Sequence, residues 1–217
     1  MAARLPGEAP VSALPAPETS ALPAPETTSP LDADAFRRTA RAWSTGVALL
    51  TAADGEEVFA KTVSSLCTLS LDPPLVSVAV DRRSPLAAAV RRTGRYAVGV
   101  LAGPQEPLAR RFAARGAGRA LGRFPGVPLT PIATGAPVLT DCLGWFDCVL
   151  DAALGGGDHV LLVGQVAAAG GDGGEPLLYH AGRYRLLHPA APPPSDPASA
   201  SVPSHPLREP AHDPAHR

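Results

Sequence analysis

The chain has 217 residues and a formal charge of −1, with 18 arginines against a single lysine, Lys61. That balance argues against a general nucleic-acid binder, and no apolar run reaches the roughly 20 residues of a membrane-spanning helix. Of the 26 prolines, 16 fall in residues 1–30 and 189–217, which carry few large apolar side chains and are expected to be disordered tails.

The N-terminal tail repeats itself, ALPAPETS followed by ALPAPETT, in a proline-spaced octapeptide suited to extended conformations. It lacks the charged start and continuous apolar run of a signal peptide. The three cysteines, Cys67, Cys142 and Cys148, show neither an even count nor metal-ligand spacing. Neither a disulfide framework nor a metal site is expected, and a reducing cytoplasm is the default compartment.

Residues 31–188 are the expected domain. DADAFRRTARAW predicts a short amphipathic helix with Phe36, Ala40 and Trp43 on one face and Asp32 as N-cap. GVALLTA and EVFAKTV flank ADGE, an Asp-Gly hairpin signal. The prolines of DPPLVSVAVD end one element before a buried strand at Leu75–Val80, and a helix over Ser84–Arg92 follows. RYAVGVL reads as a strand and QEPLARRFAAR as a helix with Leu108 and Phe112 at i and i+4.

The glycine- and proline-rich residues 115–142 predict a long ordered loop or lid. In LGWFDCVLDAAL, alternation puts Cys148 on the core face, and Asp147 and Asp151 on the other. GGGDH then links that strand to VLLVGQVAAAG as a second hairpin, and PLLYHAGRYRLL closes the domain with one more strand. Six or seven strands joined mainly by hairpins predict a mainly β, closed antiparallel barrel with inserted helices.

Four stretches are candidate sites, each with a structural reading beside the functional one. TVSSLCTLS offers hydroxyls and N–H groups to a polar ring or a phosphate, or is a strand with a polar outer face. DRRSP joins arginines to a helix start that suits a phosphate, or is an ordinary cap with solvated arginines. Arg110, Arg111, Arg115, Arg119 and Arg123 are a local cationic run, closing over a phosphorylated ligand or simply solvated. His159 follows three glycines and Asp158, which orients its ring; a zinc site would need companions that the chain does not offer.

Taken together, WSTGVALLTA, TVSSLCTLSLDPPLVSVAVDRRSP, RYAVGVL, ARRFA, GAPVL, GGDHVLLVGQV and PLLYHAGRYRLL resemble the flavin reductase family of FMN-binding split barrels, over roughly residues 33–187. The resemblance implies a homodimeric antiparallel Greek-key split barrel. It implies hydride transfer from NADH or NADPH to FMN or FAD, with reduced flavin passing to a partner monooxygenase or halogenase. No nucleic-acid or membrane partner is implied. The alternative is a non-reductase flavin- or haem-binding protein on the same fold.

By resemblance, Thr62, Ser64, Ser65, Leu66 and Cys67 run along the flavin ring and ribityl chain, with Ser70, Arg82, Arg83 and Ser84 near its phosphate end. Thr45 and Phe112 match further cofactor positions. His159 maps to the catalytic mouth where nicotinamide meets flavin, with Asp158, Arg183 and Tyr184 as neighbours. The chain departs from the family pattern at Ser64, where many relatives have Asn, at Gly122, where many have Asp, and at Lys61, where an apolar residue is common.

Overall fold

The computed structural model describes residues 32–114, 116 and 118–187; both proline-rich tails, with the octapeptide repeat, lie outside them. The chain divides at Ala40/Arg41 into two units. In the first, helix α1 (Ala33–Ala40) starts as predicted, the Asp32 carboxylate accepting the N–H groups of Asp34 and Ala35 at 3.0 and 3.2 Å. Trp43 does not join its face: the helix has ended, and Trp43 is 76 % exposed. The carbonyl of Arg41 accepts the N–H of Ala181 instead of continuing a helix.

The second unit holds β1 (Thr45–Gly46), β2 (Ala48–Asp54), β3 (Glu57–Val63), β4 (Cys67–Leu71), β5 (Pro74–Asp81), α2 (Pro85–Thr93), β6 (Arg95–Val100) and α3 (Glu106–Ala113). It continues through β7 (Arg119–Leu121), β8 (Leu129–Pro131), β9 (Pro137–Leu139), β10 (Gly144–Gly156), β11 (His159–Gly170), β12 (Leu178–His180) and β13 (Arg183–Arg185). Eight strands form one antiparallel sheet in the order β4-β5-β11-β10-β6-β2-β3-β7, with smaller sheets β1-β12-β13 and β8-β9. Crossed connections set β5 beside β11 and β6 between β10 and β2. This is the mainly β, antiparallel split barrel that the sequence predicts.

Two apolar clusters explain why the central strands read as nearly continuous apolar runs. Leu50, Phe59, Val78, Tyr96, Val98, Cys148 and Leu162, from six strands, share one cluster with Leu86, Ala87, Ala89 and Val90 of α2, which therefore plugs the barrel. On the opposite face Val47, Leu49, Val58 and Ala60 pack with Ala109 and Phe112 of α3 and with Phe124 and Val127. Strand β2 is thus buried on both sides. Each fully buried leucine or valine there contributes about 1.5–3 kcal/mol.

The hairpin turns follow from glycine. Asp54 pairs with Glu57 and Gly156 with His159, leaving Gly55-Glu56 and Gly157-Asp158 as two-residue turns. Gly55 and Gly157 have φ of +59° and +66°, the positive first position that a type II′ turn requires. Of the three glycines before Asp158, Gly155 and Gly156 are therefore strand and Gly157 alone makes the turn.

Three expectations need correcting. Residues 115–142 are not one loop: they hold β7, β8 and β9, with Phe124, Val127 and Val138 buried. The closing segment is a hairpin rather than a single strand, because Ala181 and Gly182 both take positive φ (51° and 78°) between β12 and β13. Asp147 does not face water: it is buried at 0 % exposure, beside a register shift at Asp147/Cys148 that breaks strict alternation. Its carboxylate accepts the N–H groups of Ala133 and Thr134 at 2.7 and 2.9 Å and the Thr134 hydroxyl, fastening the segment before β9.

Candidate functional site

Strand β3 and helix α3 run side by side, and clefts open on both sides of their ends. Because successive side chains alternate across a strand, Lys61 points to the α2 side with Phe59 and Val63, while Thr62 turns toward α3. The Thr62 hydroxyl donates to the Ala109 carbonyl at 2.7 Å, so it holds β3 against α3.

The α2-side groove has a volume of about 270 Å³ and is lined by Phe59, Lys61, Asp81, Arg83, Ser84, Leu86, Phe112 and Arg119, among others. DRRSP enters it at the join of β5 and α2. Asp81 shapes this corner, its carboxylate accepting the Arg83 N–H at 2.8 Å and its carbonyl the Ser84 N–H at 2.9 Å. Ser84 occupies the N-cap position of α2, yet its hydroxyl makes no capping hydrogen bond. Arg119 pairs with Glu57. Gly118, just before β7, lies close over β3, its carbonyl accepting the Ala60 N–H at 3.0 Å.

On the other side lies a cleft of about 150 Å³ bordered by Val47, Thr62, Val63, Ser64, Ala113, Tyr179 and Tyr184. A second cavity of about 500 Å³ shares Ala113 and both tyrosines and adds Arg110, Gly182 and Arg183. The tyrosine rings meet edge to face at 5.4 Å, and the Arg110 guanidinium sits 4.9 Å from the Tyr184 ring centre. Burial pushes the Tyr184 hydroxyl up from its ordinary value, so it stays protonated. Thr45, in register with Tyr179, carries a buried hydroxyl oxygen with no hydrogen-bond partner among the described residues. Such a group costs free energy until something bonds to it.

His159 lies one strand pairing away from the α2-side groove. It pairs with Asp81 in the β5–β11 register, and Arg82 N–H donates to the Asp158 carbonyl at 3.1 Å, so the GGGDH turn lies against DRRSP. His159 Nδ1 is 2.7 Å from Asp158 Oδ1. The ring holds the exposed Asp158 carboxyl below its ordinary range, chiefly through this hydrogen bond. The histidine borders neither groove directly.

The remaining expected residues have structural duties or lie elsewhere. Ser65 bridges to β5, its hydroxyl donating to the Ala79 carbonyl and accepting the Ala79 N–H. Leu66 packs against the barrel core. Cys67 is exposed on the edge strand β4, where Ser70 accepts the Asp72 N–H at 3.2 Å. Of the arginine run, Arg115 lies outside the described residues; Arg110 pairs with Glu106, Arg111 donates to the Pro125 carbonyl, and Arg119 pairs with Glu57. Sequence reading missed Ala113 and Tyr179 as site residues. Only the pairing of β1 with β12 brings Tyr179 in, and no local spacing encodes it. Among the described residues no cluster of three His, Cys, Asp or Glu side chains suits a metal ion, and no helix is long and apolar enough to cross a membrane.

The lining fits a flavin. A planar ring needs apolar and aromatic walls with scattered hydrogen-bonding groups, and a phosphate tail needs cations and free N–H groups. The tyrosine-lined clefts and the Lys61–Arg83–Ser84 corner supply these.

Residues 40–188 match the domain family described as flavin reductase like domain. An NADH-dependent flavin reductase from a Rhodococcus species is 34 % identical over 155 residues, covering 70 % of this chain and 85 % of its own length. The NADH-dependent FMN reductase AsuE2 of Streptomyces nodosus subsp. asukaensis is 37 % identical over 160 residues, covering 70 % and 83 %. Among solved structures, BorF, the flavin reductase component of a bacterial two-component tryptophan halogenase, superposes with a TM-score of 0.64 at 32 % identity over 72 % of this chain and 98 % of its own. The NADH:FAD oxidoreductase SgcE6 of Streptomyces globisporus C-1027 gives a TM-score of 0.68 at 29 % identity over 76 % and 99 %. With its fold, its site and its sequence in agreement, the chain belongs to the flavin reductase-like domain family.

Proposed function

We propose that this chain is an NAD(P)H-dependent flavin reductase that transfers a hydride from nicotinamide C4 to N5 of FMN or FAD and supplies reduced flavin to a separate monooxygenase or halogenase. One observation carries the reading: tyrosine-walled clefts and a cationic groove flank β3 and α3 in a chain of this family. The cofactors bring the redox chemistry, so no protein nucleophile is needed.

The chain's own part is to bind, orient and shield. Thr45, Ser64 and the backbone of Thr62–Cys67 line the ring side, with Tyr184 and Arg183 beside them. Arg82, Arg83 and Ser84 bind the phosphate end, and Phe112 walls the groove beside them. Ser65 and Ser70 hold β3, β4 and their connections in place. His159, its ring fixed by Asp158, guides the nicotinamide into line, where orientation contributes much of the rate. We further propose a cytoplasmic homodimer. Leu69 and Leu71, exposed on the edge strand β4, are the kind of apolar surface that a second copy covers.

Purified protein with free flavin should oxidise NADH or NADPH in air. Failure of both nicotinamides with both FMN and FAD overturns the reading, and a flavin held but never bleached anaerobically points to a binding protein instead. His159→Ala should lower kcat or raise the nicotinamide KM about ten-fold, some 1.4 kcal/mol, while flavin affinity holds. Collapse of flavin affinity with normal reduction of the bound fraction removes His159 from the nicotinamide side.

A further inference from the structure

The groove between β3 and α2 carries more positive charge than its own carboxylates neutralise. Lys61, Arg83 and Arg119 line it against a single acid, Asp81. Arg119 is committed to Glu57, and the Asp81 carboxylate is engaged by the Arg83 backbone N–H. Among the described residues, neither Lys61 nor the Arg83 guanidinium forms an ion pair. Lys61 is half-buried and shares its strand face with Phe59 and Val63, both in the barrel core. A lone ammonium set against apolar neighbours costs free energy unless an anion comes to it. Across the groove the hydroxyl of Ser84 makes no capping bond, and the first turn of α2 holds backbone N–H groups without intrahelical partners.

Resting on the flavin reading above, we infer that Lys61 is a specificity residue that reads the terminal phosphate monoester of FMN and makes FMN the preferred flavin over FAD. The chemistry separates the two. A phosphate monoester carries about −1.5 to −2 charge at pH 7 on three acceptor oxygens, which matches two uncommitted cations and a free hydroxyl. The phosphates of FAD are diesters, each with one charge and no terminal dianion to meet the ammonium. At about 270 Å³ the groove is smaller than the ~300–1,000 Å³ that a drug-sized ligand fills. It has room for a ribityl phosphate end and leaves the adenylate of FAD in solvent. Lysine acts here as a point charge on a flexible stem, the manner in which it binds phosphate elsewhere.

Equilibrium titration of the full-length protein with riboflavin, FMN, FAD, NADH and NADPH, followed by calorimetry, tests this without turnover. FMN should bind about ten-fold or more tighter than riboflavin or FAD. Lys61→Met should remove about ten-fold from FMN affinity and leave riboflavin unchanged, and Lys61→Arg should recover most of that loss. Equal affinities of the wild-type protein for FMN and FAD overturn the inference with no variant required. So does a Lys61→Met loss shared equally by riboflavin, or one confined to NADPH, which would make the groove a reader of the nicotinamide 2′-phosphate. Failure to oxidise NADH or NADPH with any flavin defeats the reductase reading alone, because the binding constants still judge Lys61.

Discussion

The β2–β3 and β10–β11 hairpins turn in the same way, on a glycine of positive φ followed by an acid, yet they have opposite fates. The first is packed on both faces, its tip tied by the ion pair of Asp54 with Arg92 and flanked by β7 on the far side of β3. The second is buried in its middle, where Cys148 and Leu162 are in the core, but from Leu154 to His159 it is exposed, and among the described strands that tip meets only β5. Turn chemistry is therefore the same in a covered hairpin and in an open one. What differs is the number of neighbours, and a tip with one neighbour is free to meet a ligand.

The largest test of that contrast is a pair of leucine truncations. Leu50→Ala, in the doubly covered β2, should cost about 2–5 kcal/mol of unfolding free energy. Leu154→Ala near the open tip should stay within about 0.5 kcal/mol. Denaturant melts of both measure the difference, and similar losses would mean that the second tip is covered in solution.

A second test probes the apolar cluster that the two hairpins share. Burial, helped by the charge of Asp147, pushes the Cys148 thiol from 9.0 up to about 12, and burial likewise raises Cys142 and Tyr96. The folded state keeps protons that the unfolded chain releases, so this stability is fully present below about pH 9. For Cys148 it should fall by about 1.4 kcal/mol per pH unit between roughly pH 9 and pH 12. Cys148→Ala should flatten the alkaline slope of a Tm against pH series. An unchanged slope would mean that the base of β10 is open to solvent.

The smallest effect sharpens the tips themselves. Gly55→Ala and Gly157→Ala each place a Cβ in the left-handed region, at about 1–2 kcal/mol. Gly55→Ala should show that cost in global stability. Gly157→Ala should show less than about 1 kcal/mol globally, because the exposed tip opens by itself, with faster hydrogen exchange at Gly156 and Val160. Equal global losses would make the two tips equally integral.

Most of the barrel is legible in the sequence, because its signals are local. Gly55 and Gly157, the prolines before β5, and Leu108 with Phe112 each announce an element from a few neighbouring residues. Asp147 misleads because one bulge shifts the alternation, and no spacing rule shows that Ala133 and Thr134 donate to its carboxylate. The site is less legible than the fold for the same reason. DRRSP and GGGDH are each visible as candidate stretches in the sequence, but their contact through Arg82 and Asp158 lies beside the pairing of β5 with β11. Tyr179 and Arg119 enter only through strands that are distant in sequence. Lys61 is visible as an oddity in its strand, and its use follows from what stands across the groove.

The Asp147 clamp also bears on kinetics. A lid pays its ordering entropy each time a ligand arrives, and association then shows a slow closing phase. Residues 119–139 are fastened by the Phe124 and Val127 anchors, by the Asp147 carboxylate and by strands β7 to β9, so that entropy is lost once, when the chain folds. Arg119 of this segment borders the proposed flavin groove, so with flavin bound there association should run as a single phase whose rate rises in proportion to flavin concentration.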